Sequence, residues 1–113
     1  MSAVYVPEAG DLVWLTFDPQ AGREQAGRRP ALVLSPRTYN AKSGLMLVCP
    51  ITSQVKGYPF EVPVTAGQGV TGVVLADHLK SVDWKARHAA KLGRCADEVT
   101  GEVRARLAPL LGY

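Results

Sequence analysis

Residues 12–17 read Leu-Val-Trp-Leu-Thr-Phe, a short run of apolar, β-branched and aromatic residues that Asp18 and Pro19 end. A run of this length and composition predicts one buried β-strand. Glycine and proline supply eleven and eight of the 113 residues and divide the rest of the chain into similar short runs. This composition favours strands and turns over long helices. Six further runs predict strands, at residues 31–34, 45–49, 60–64, 70–76, 79–82 and 91–95.

Prolines and polar stretches indicate where these strands end. Pro50 is expected to stop the third strand, and Pro63 indicates an edge strand because it has no N–H to donate to a ladder. Residues 38–42 fit a single helical turn. Two long polar loops remain, at residues 18–29 and 50–59, and loops this long in a compact domain are typically functional.

The C-terminal segment has a helical periodicity. Apolar residues recur there at steps of three and four: Val99, Val103, Leu107, Leu110 and Leu111. Asp97 is suited to cap such a helix, Gly101 weakens it by about 1 kcal/mol, and Pro109 predicts that it ends or kinks nearby. The whole pattern predicts a mainly β (α+β) fold, in which a curled antiparallel sheet is closed by a C-terminal helix. We expect one domain spanning residues 1–113.

Cysteines and the N-terminus bear on the cellular compartment. Cys49 and Cys95 have no C-x-x-C spacing and no clustered histidines, so no metal site is predicted. The N-terminus has no basic-then-apolar leader, and no apolar run approaches the roughly 18 residues needed to span a bilayer. We therefore expect a cytoplasmic protein without a membrane segment. Two reduced thiols are the expectation there, and a disulfide between them is the alternative.

Positive charge is concentrated in the middle of the chain. The net charge is +3, but residues 23–56 carry six basic residues against one acidic residue, and residues 80–94 carry five against one. Acidic residues lie towards the two ends. Basic middle segments suit the binding of a polyanion, and an ordinary solvated surface is the alternative.

The two long loops contain the residues best suited to chemistry on a phosphate. Glu24 lies five residues before Arg29; a carboxylate can accept a proton and a guanidinium can bind a phosphate through two hydrogen bonds. Thr52 offers a hydroxyl and Lys56 a further cation. Spacing alone nevertheless favours an ordinary surface ion pair between Glu24 and Arg29, a turn hydroxyl and a solvated lysine.

Other catalytic classes lack support in the sequence. His78 and His88 are too isolated to form a histidine acid–base pair. There is no glycine-rich phosphate loop, G-x-S-x-G elbow or H-E-x-x-H motif, which leaves nucleotide hydrolysis, serine hydrolysis and metal catalysis unsupported. Trp14 and Trp84 lie in or beside strand patterns, so a core position is favoured over base stacking for both.

Four sequence blocks nevertheless resemble one known family, in order and at the family's spacing. They are G-D-L-V-W at 10–14, E-Q-A-G-R-R-P-A-L-V-L-S-P at 24–36, K-G-Y-P-F-E-V at 56–62 and A-D-H-L-K-S-V-D-W at 76–84. On these blocks the chain is identified as a member of the MazF/PemK toxins of type II toxin–antitoxin systems. The resemblance runs nearly end to end and is weakest in the C-terminal helix.

The resemblance implies an SH3-like β-barrel with a C-terminal helix, a homodimer and an endoribonuclease. Such toxins cut single-stranded RNA at short defined sequences without metal or cofactor, leaving a 2′,3′-cyclic phosphate and a 5′-hydroxyl. The family's essential arginine, threonine and acidic loop residue match Arg29, Thr52 and Glu24. The corresponding substrate-binding candidates are Arg28, Gln25, Ser53, Lys56 and Lys80. A cognate MazE-like antitoxin is expected to block the site with an acidic, disordered C-terminal segment, and DNA contact is expected only within the toxin–antitoxin complex.

Two departures from the family pattern bear on the mechanism. Arg28 stands where relatives often have histidine, so an imidazole proton carrier is absent there and cleavage relies more on Arg29 and Glu24. His78 stands where relatives often have glutamine. Two other interpretations stay open: a toxin like CcdB, which binds DNA gyrase and cuts no RNA, and a non-enzymatic SH3-like binding module.

Overall fold

A computed structural model of the chain describes residues 4–17, 27–66 and 70–113. The strands are β1 (Asp11–Phe17), β2 (Gly27–Val33), β3 (Leu45–Thr52), β4 (Glu61–Ala66), β5 (Val70–Leu75), β6 (Lys80–Asp83) and β7 (Ala90–Arg94). The helices are α1 (Arg37–Ser43) and α2 (Asp97–Leu110), with a 3₁₀ turn at Ala76–His78. The mainly β architecture with a C-terminal helix is therefore confirmed.

Strand β3 is the centre of a curled antiparallel sheet of order β4-β5-β3-β2-β1-β7. Along its length β3 pairs first with β6 at residues 45–48, then with β2 at residues 48–50, and finally with β5 at residues 51–52. A strand that changes partner in this way bends the sheet around itself. Strand β4 lies at an edge, as Pro63 predicted.

The sheet has a hydrophobic core on each face, because neighbouring side chains along a strand point to opposite sides. We call the first the helix-side core, since α2 packs on it; its buried members are Leu12, Leu32, Cys49, Ile51, Val62, Val64, Val74, Ala76, Cys95, Val103 and Leu107. The second, the β6-side core, contains Val13, Leu15, Phe17, Ala31, Val33, Met46, Val48, Val82 and Trp84. Both cores are fixed to the three central strands.

Two strand ends differ from the prediction. Strand β2 begins at Gly27 rather than at residue 31, because Gly27 to Pro30 continue the ladder with β1. The pairing overrides the polar composition that favoured a loop. Strand β3 does not stop at Pro50 but continues to Thr52. Pro50 lies where β3 exchanges its partner β2 for β5, a point at which a missing N–H does not interrupt a continuous ladder.

The remaining elements agree with the sequence except in detail. The helical turn expected at residues 38–42 is the two-turn helix α1. Asp97 lies in the first turn of α2 and does not cap it, because the N-cap residue is Ala96, which has no side-chain oxygen. Pro109 lies inside the last turn, and the helix ends one residue later. Among the described residues, no helix is long and apolar enough to cross a membrane.

The tryptophans and cysteines have the following environments. Trp84 is buried in the β6-side core, as expected, whereas the expectation of a core position for Trp14 was wrong: this residue is 38% exposed and belongs to the opposite strand face. Cys49 and Cys95 are both buried, and the structure has no disulfide between them.

Candidate functional site

Arg29 and Thr52 lie at the point where strands β2 and β3 separate. The last paired residues of these strands are Ala31 and Pro50, and Arg29 and Thr52 each lie two residues further along. Because side chains alternate, both share the strand face of the last pair, which is the face of the β6-side core. The sheet thus brings two residues from distant parts of the chain to one side.

Lys80 lies on the same face. It pairs with Val48 of the β6-side core, and its Nζ is 5.6 Å from the centroid of the Phe17 ring. Phe17 is the last residue of β1 and pairs with Gly27, two residues before Arg29. Arg29, Thr52 and Lys80 therefore lie on one face of the sheet, with Lys80 beside the last residue of β1.

The Thr52 side chain is almost buried and has a defined orientation. It is 8% exposed, and its Oγ1 accepts a hydrogen bond from the backbone N–H of Gln54 at 3.1 Å. Because this contact uses one lone pair of Oγ1, the hydroxyl hydrogen is available to donate to a further group. A hydroxyl donor beside cations is suited to a phosphate oxygen.

A buried carboxylate shapes the loop that follows Thr52. Glu61 is 8% exposed, and its Oε1 accepts the backbone N–H of Gly57 at 2.8 Å. The N–H of Lys56 lies 3.2 Å from both carboxylate oxygens. Arg106 of α2 also donates to the carbonyl of Pro59 in the same loop. Loop 53–60 is therefore anchored to β4 and to the C-terminal helix.

Ser53 and Lys56, two of the candidate substrate contacts, have exposed side chains on this loop. Glu61 was missed by the sequence reasoning, although it lies within the block K-G-Y-P-F-E-V. The sequence signal that could have identified it is a carboxylate at the first position of a strand, beside the buried Val62. The polar loop directly before this strand has backbone N–H groups that need an acceptor.

Arg28 is not brought together with Arg29. Its guanidinium donates to Oγ1 of Thr16 at 3.0 Å and to the carbonyl of His88 at 2.9 Å. Being next to Arg29 in a strand, Arg28 belongs to the opposite face. Glu24 and Gln25, the predicted acidic residue and its neighbour, lie outside the described residues.

Cys49 and His78, two other side chains that could react, have environments typical of structural residues. Burial, with a smaller contribution from the charge of Asp77, raises the pKa of the Cys49 thiol to about 12, so this thiol is neutral and a poor nucleophile at neutral pH. His78 has its Nε2 4.0 Å from a carboxylate oxygen of Asp77. In the part of the chain that the structure describes, no three metal-binding side chains cluster.

Comparison with known proteins identifies the family of the chain and agrees with its fold. Residues 8–111 match the family described as "PemK-like, MazF-like toxin of type II toxin-antitoxin system". The "Endoribonuclease toxin MazF" of Escherichia coli (strain K12) is 53% identical over 112 residues, 99% of this chain and 100% of that protein. The crystal structure of MazF from Deinococcus radiodurans superposes with a TM-score of 0.92 at 60% identity, covering 97% of this chain and 100% of that one. MazF in a MazE–MazF complex from the same organism has a TM-score of 0.86 at 60% identity, covering 96% and 98%. The predicted family resemblance is confirmed.

Proposed function

The chain belongs to the PemK-like, MazF-like family of type II toxins, and we propose that it is the endoribonuclease toxin of such a system. Its substrate is single-stranded RNA, including mRNA, cut at short defined sequences without a ribosome, metal or cofactor. Cleavage of mRNA arrests translation and growth. The family membership supports the reaction class, and the relatives named above are endoribonucleases.

The observation that carries this proposal is the common face of Arg29, Thr52 and Lys80. Two cations and one hydroxyl donor on one face of a sheet are suited to a phosphate, which supports the proposal. Unpaired bases have to be splayed out to be read, so an open site of this kind suits a single strand.

In the proposed reaction the nucleophile comes from the RNA. The 2′-oxygen forms a bond to the adjacent phosphorus and loses its proton to Glu24, while the bond from phosphorus to the 5′-oxygen breaks. In the alternative, Glu24 orients Arg29 and water takes that proton. The 5′-oxygen leaves as a hydroxyl after taking up a proton from water, and a 2′,3′-cyclic phosphate remains. Arg29 stabilises the charge on the non-bridging oxygens, because a guanidinium stays protonated at every relevant pH. Thr52 donates a hydrogen bond to one of those oxygens.

The remaining candidates supply affinity and not chemistry. Lys80, Lys56, Ser53 and Gln25 are proposed to contact phosphates and sugars on either side of the cut, with a salt-dependent contribution from the lysines. Arg28 is proposed to contribute at most to affinity, because its guanidinium is engaged by Thr16 and His88 on the other strand face.

We further propose the partners that the family implies. A MazE-like antitoxin would cover the basic site with an acidic C-terminal segment that folds on binding. Two copies of the chain, each one domain over residues 1–113, would form a homodimer in the cytoplasm. DNA would be contacted only through the toxin–antitoxin complex.

The test is cleavage of a mixed-sequence RNA in the presence of EDTA. Arg29→Ala is expected to abolish detectable cutting and Thr52→Ala to leave only a slow residual rate, while Arg37→Ala, an arginine on the exposed surface of α1, is expected to cut normally. A single 2′-deoxy nucleotide at the cut position should block the reaction, and the products should carry cyclic phosphate.

Each part of the proposal has its own refuting result. Loss of wild-type cleavage on chelation would exclude the metal-free route. Full activity in Arg29→Ala would exclude this site. Growth arrest without any RNA cleavage would favour the gyrase-binding alternative, and the absence of both would favour a simple binding module.

A further inference from the structure

Gly72 of strand β5 lies where the chain of β3 leaves the sheet. Thr52 pairs with Val73, so Gly72 faces Ser53, the residue that follows β3. A Cβ placed on Gly72 would overlap the carbonyl oxygen of Thr52, and it would lie 2.9 Å from the Thr52 carbonyl carbon and 3.3 Å from the Cα of Ser53. All three atoms are backbone and cannot rotate away. No side chain fits at this position unless the end of β3 moves.

The backbone conformation at position 72 does not explain why this residue is a glycine. The described glycines with positive φ are Gly10, Gly27, Gly44, Gly57 and Gly112, so Gly72 has a backbone that any residue can adopt. Gly72 is also a poor choice for a strand on propensity alone. The close approach of the Thr52 carbonyl is therefore the feature that requires a glycine here.

The other side of Thr52 is fixed as well. The backbone N–H of Gln54 donates to Oγ1 of Thr52 at 3.1 Å, which sets the direction of the hydroxyl. The carbonyl group of Thr52 thus lies against Gly72, and the hydroxyl oxygen of Thr52 accepts a hydrogen bond from the backbone N–H of Gln54. The first contact restrains the backbone of Thr52 and the second holds its Oγ1, on the strand face shared with Arg29.

We propose that Gly72 and the backbone amide of Gln54 form a cradle that positions the Thr52 hydroxyl for RNA cleavage. Neither group touches the RNA in this role, so both are positioning residues. The inference rests on the proposed function, since it requires the Thr52 hydroxyl to act on the phosphate. Misplacement of a reacting group by about 1 Å can cost a factor of about 100 in rate.

The principal test is Gly72→Ala, measured by single-turnover cleavage with protein in excess. We expect the cleavage rate at saturation to fall about 100-fold, with little change in the protein concentration that gives half-maximal rate. Gly93→Ala is the matched control, because Gly93 is also a strand glycine without positive φ and has no atom within 4 Å of the methyl group that alanine would add. It should cleave at the wild-type rate.

A double-mutant cycle distinguishes positioning from general destabilisation. If Gly72 acts through the Thr52 hydroxyl, Gly72→Ala should change the residual rate of Thr52→Ala by less than about twofold. A merely structural role would lower the thermal midpoint in both backgrounds and leave the saturated rate of Gly72→Ala at 25 °C close to wild type. That result, or additive effects in the cycle, would overturn the inference.

A second pair of variants keeps the test decisive if Gly72→Ala does not fold. Gln54→Pro removes the N–H that Thr52 accepts, whereas Gln54→Ala keeps it and removes only the exposed side chain. We expect Gln54→Pro to cleave about tenfold more slowly than Gln54→Ala, the equivalent of one hydrogen bond. Equal cleavage rates for Gln54→Pro and Gln54→Ala would refute the proposed cradle. Full activity in Thr52→Ala would instead refute the proposed function on which it rests.

Discussion

Replacing Glu61 by glutamine tests whether the buried carboxylate orders the loop that carries Ser53 and Lys56. The substitution keeps the size of the side chain but replaces one acceptor oxygen by an NH₂ group. The carboxylate now accepts the N–H of Gly57 at 2.8 Å and the N–H of Lys56 at 3.2 Å. With its oxygen in the place of Oε1, the amide can still accept the N–H of Gly57, but both contacts are then to a neutral acceptor and the NH₂ group in the place of Oε2 faces the N–H of Lys56.

The expected cost follows from these contacts. A hydrogen bond to a charged acceptor contributes about 1.5–3 kcal/mol and a neutral one about 1 kcal/mol. Replacing the charged acceptor of both bonds by a neutral one, with an NH₂ group facing the N–H of Lys56, lowers the free energy of opening the loop by about 2 kcal/mol, which is a factor of about 30 in the opening equilibrium. Affinity for RNA cannot fall by more than this factor, because the loop can still close on the ligand.

Amide hydrogen exchange followed by NMR measures the effect directly. Exchange at Lys56 and Gly57 should accelerate about 30-fold in Glu61→Gln, while amides of β1 and β2 should change much less. Binding of an RNA with a 2′-deoxy nucleotide at the cut site should weaken by a smaller or equal factor, with the saturated cleavage rate less affected. Glu98→Gln, an exposed glutamate in the first turn of α2, is the charge-matched control.

Two results would refute this role of Glu61. The first is unchanged exchange at Lys56 and Gly57 in Glu61→Gln. The second is equal acceleration of exchange throughout the sheet, since Glu61 would then stabilise the whole fold and not this loop in particular.

Three further outcomes follow from other contacts. Lys80→Ala should reduce the slope of log affinity for single-stranded RNA against log salt by about 0.7, the value for one phosphate contact, in a titration from low to high salt. Asp11 is 2% exposed and accepts hydrogen bonds from Tyr5 at 2.5 Å and Arg94 at 2.9 Å, so Asp11→Ala should lower the free energy of unfolding in urea by about 3 kcal/mol. The pKa of Cys49 is raised from 9.0 to about 12 by burial, so the folded state holds a proton that the unfolded state loses, and stability should decline as the pH rises from about 9 towards 12. Cys49→Ala should make that decline shallower, and an unchanged pH dependence would contradict the assignment.

Local patterns in the sequence located the strands but not the ends that form the site. Apolar runs predicted all seven strands and the periodicity predicted α2, because burial of one face dictates both signals. Gly27 to Arg29 and Pro50 to Thr52 were assigned to loops on composition. They are strand residues because β1 pairs with the first segment and β2 and β5 pair with the second, and such pairing depends on partners that are distant in sequence. Arg29 and Thr52 lie in these misassigned ends.

The same limitation explains Arg28 and Arg29. In a loop, two adjacent arginines can reach one phosphate, and no local pattern separates them. In a strand they point to opposite faces, so Arg28 donates to Thr16 and His88 while Arg29 lies on the face of Thr52. Assigning a residue to a strand or a loop thus decides which of two neighbouring cations can take part in chemistry.

Strand β3 connects the stability of the fold to the precision of the site. Val48 packs in the β6-side core, and Cys49 and Ile51 pack in the helix-side core, so the strand that ends at Thr52 is held from both faces. A reaction whose nucleophile comes from the RNA requires the protein mainly to align and to stabilise charge, and alignment is most accurate when it comes from rigid elements. Loop 53–60, anchored by Glu61, then provides contacts that contribute to RNA affinity and do not require precise positioning. The division between a strand-borne Thr52 and a loop-borne Lys56 follows from these different demands.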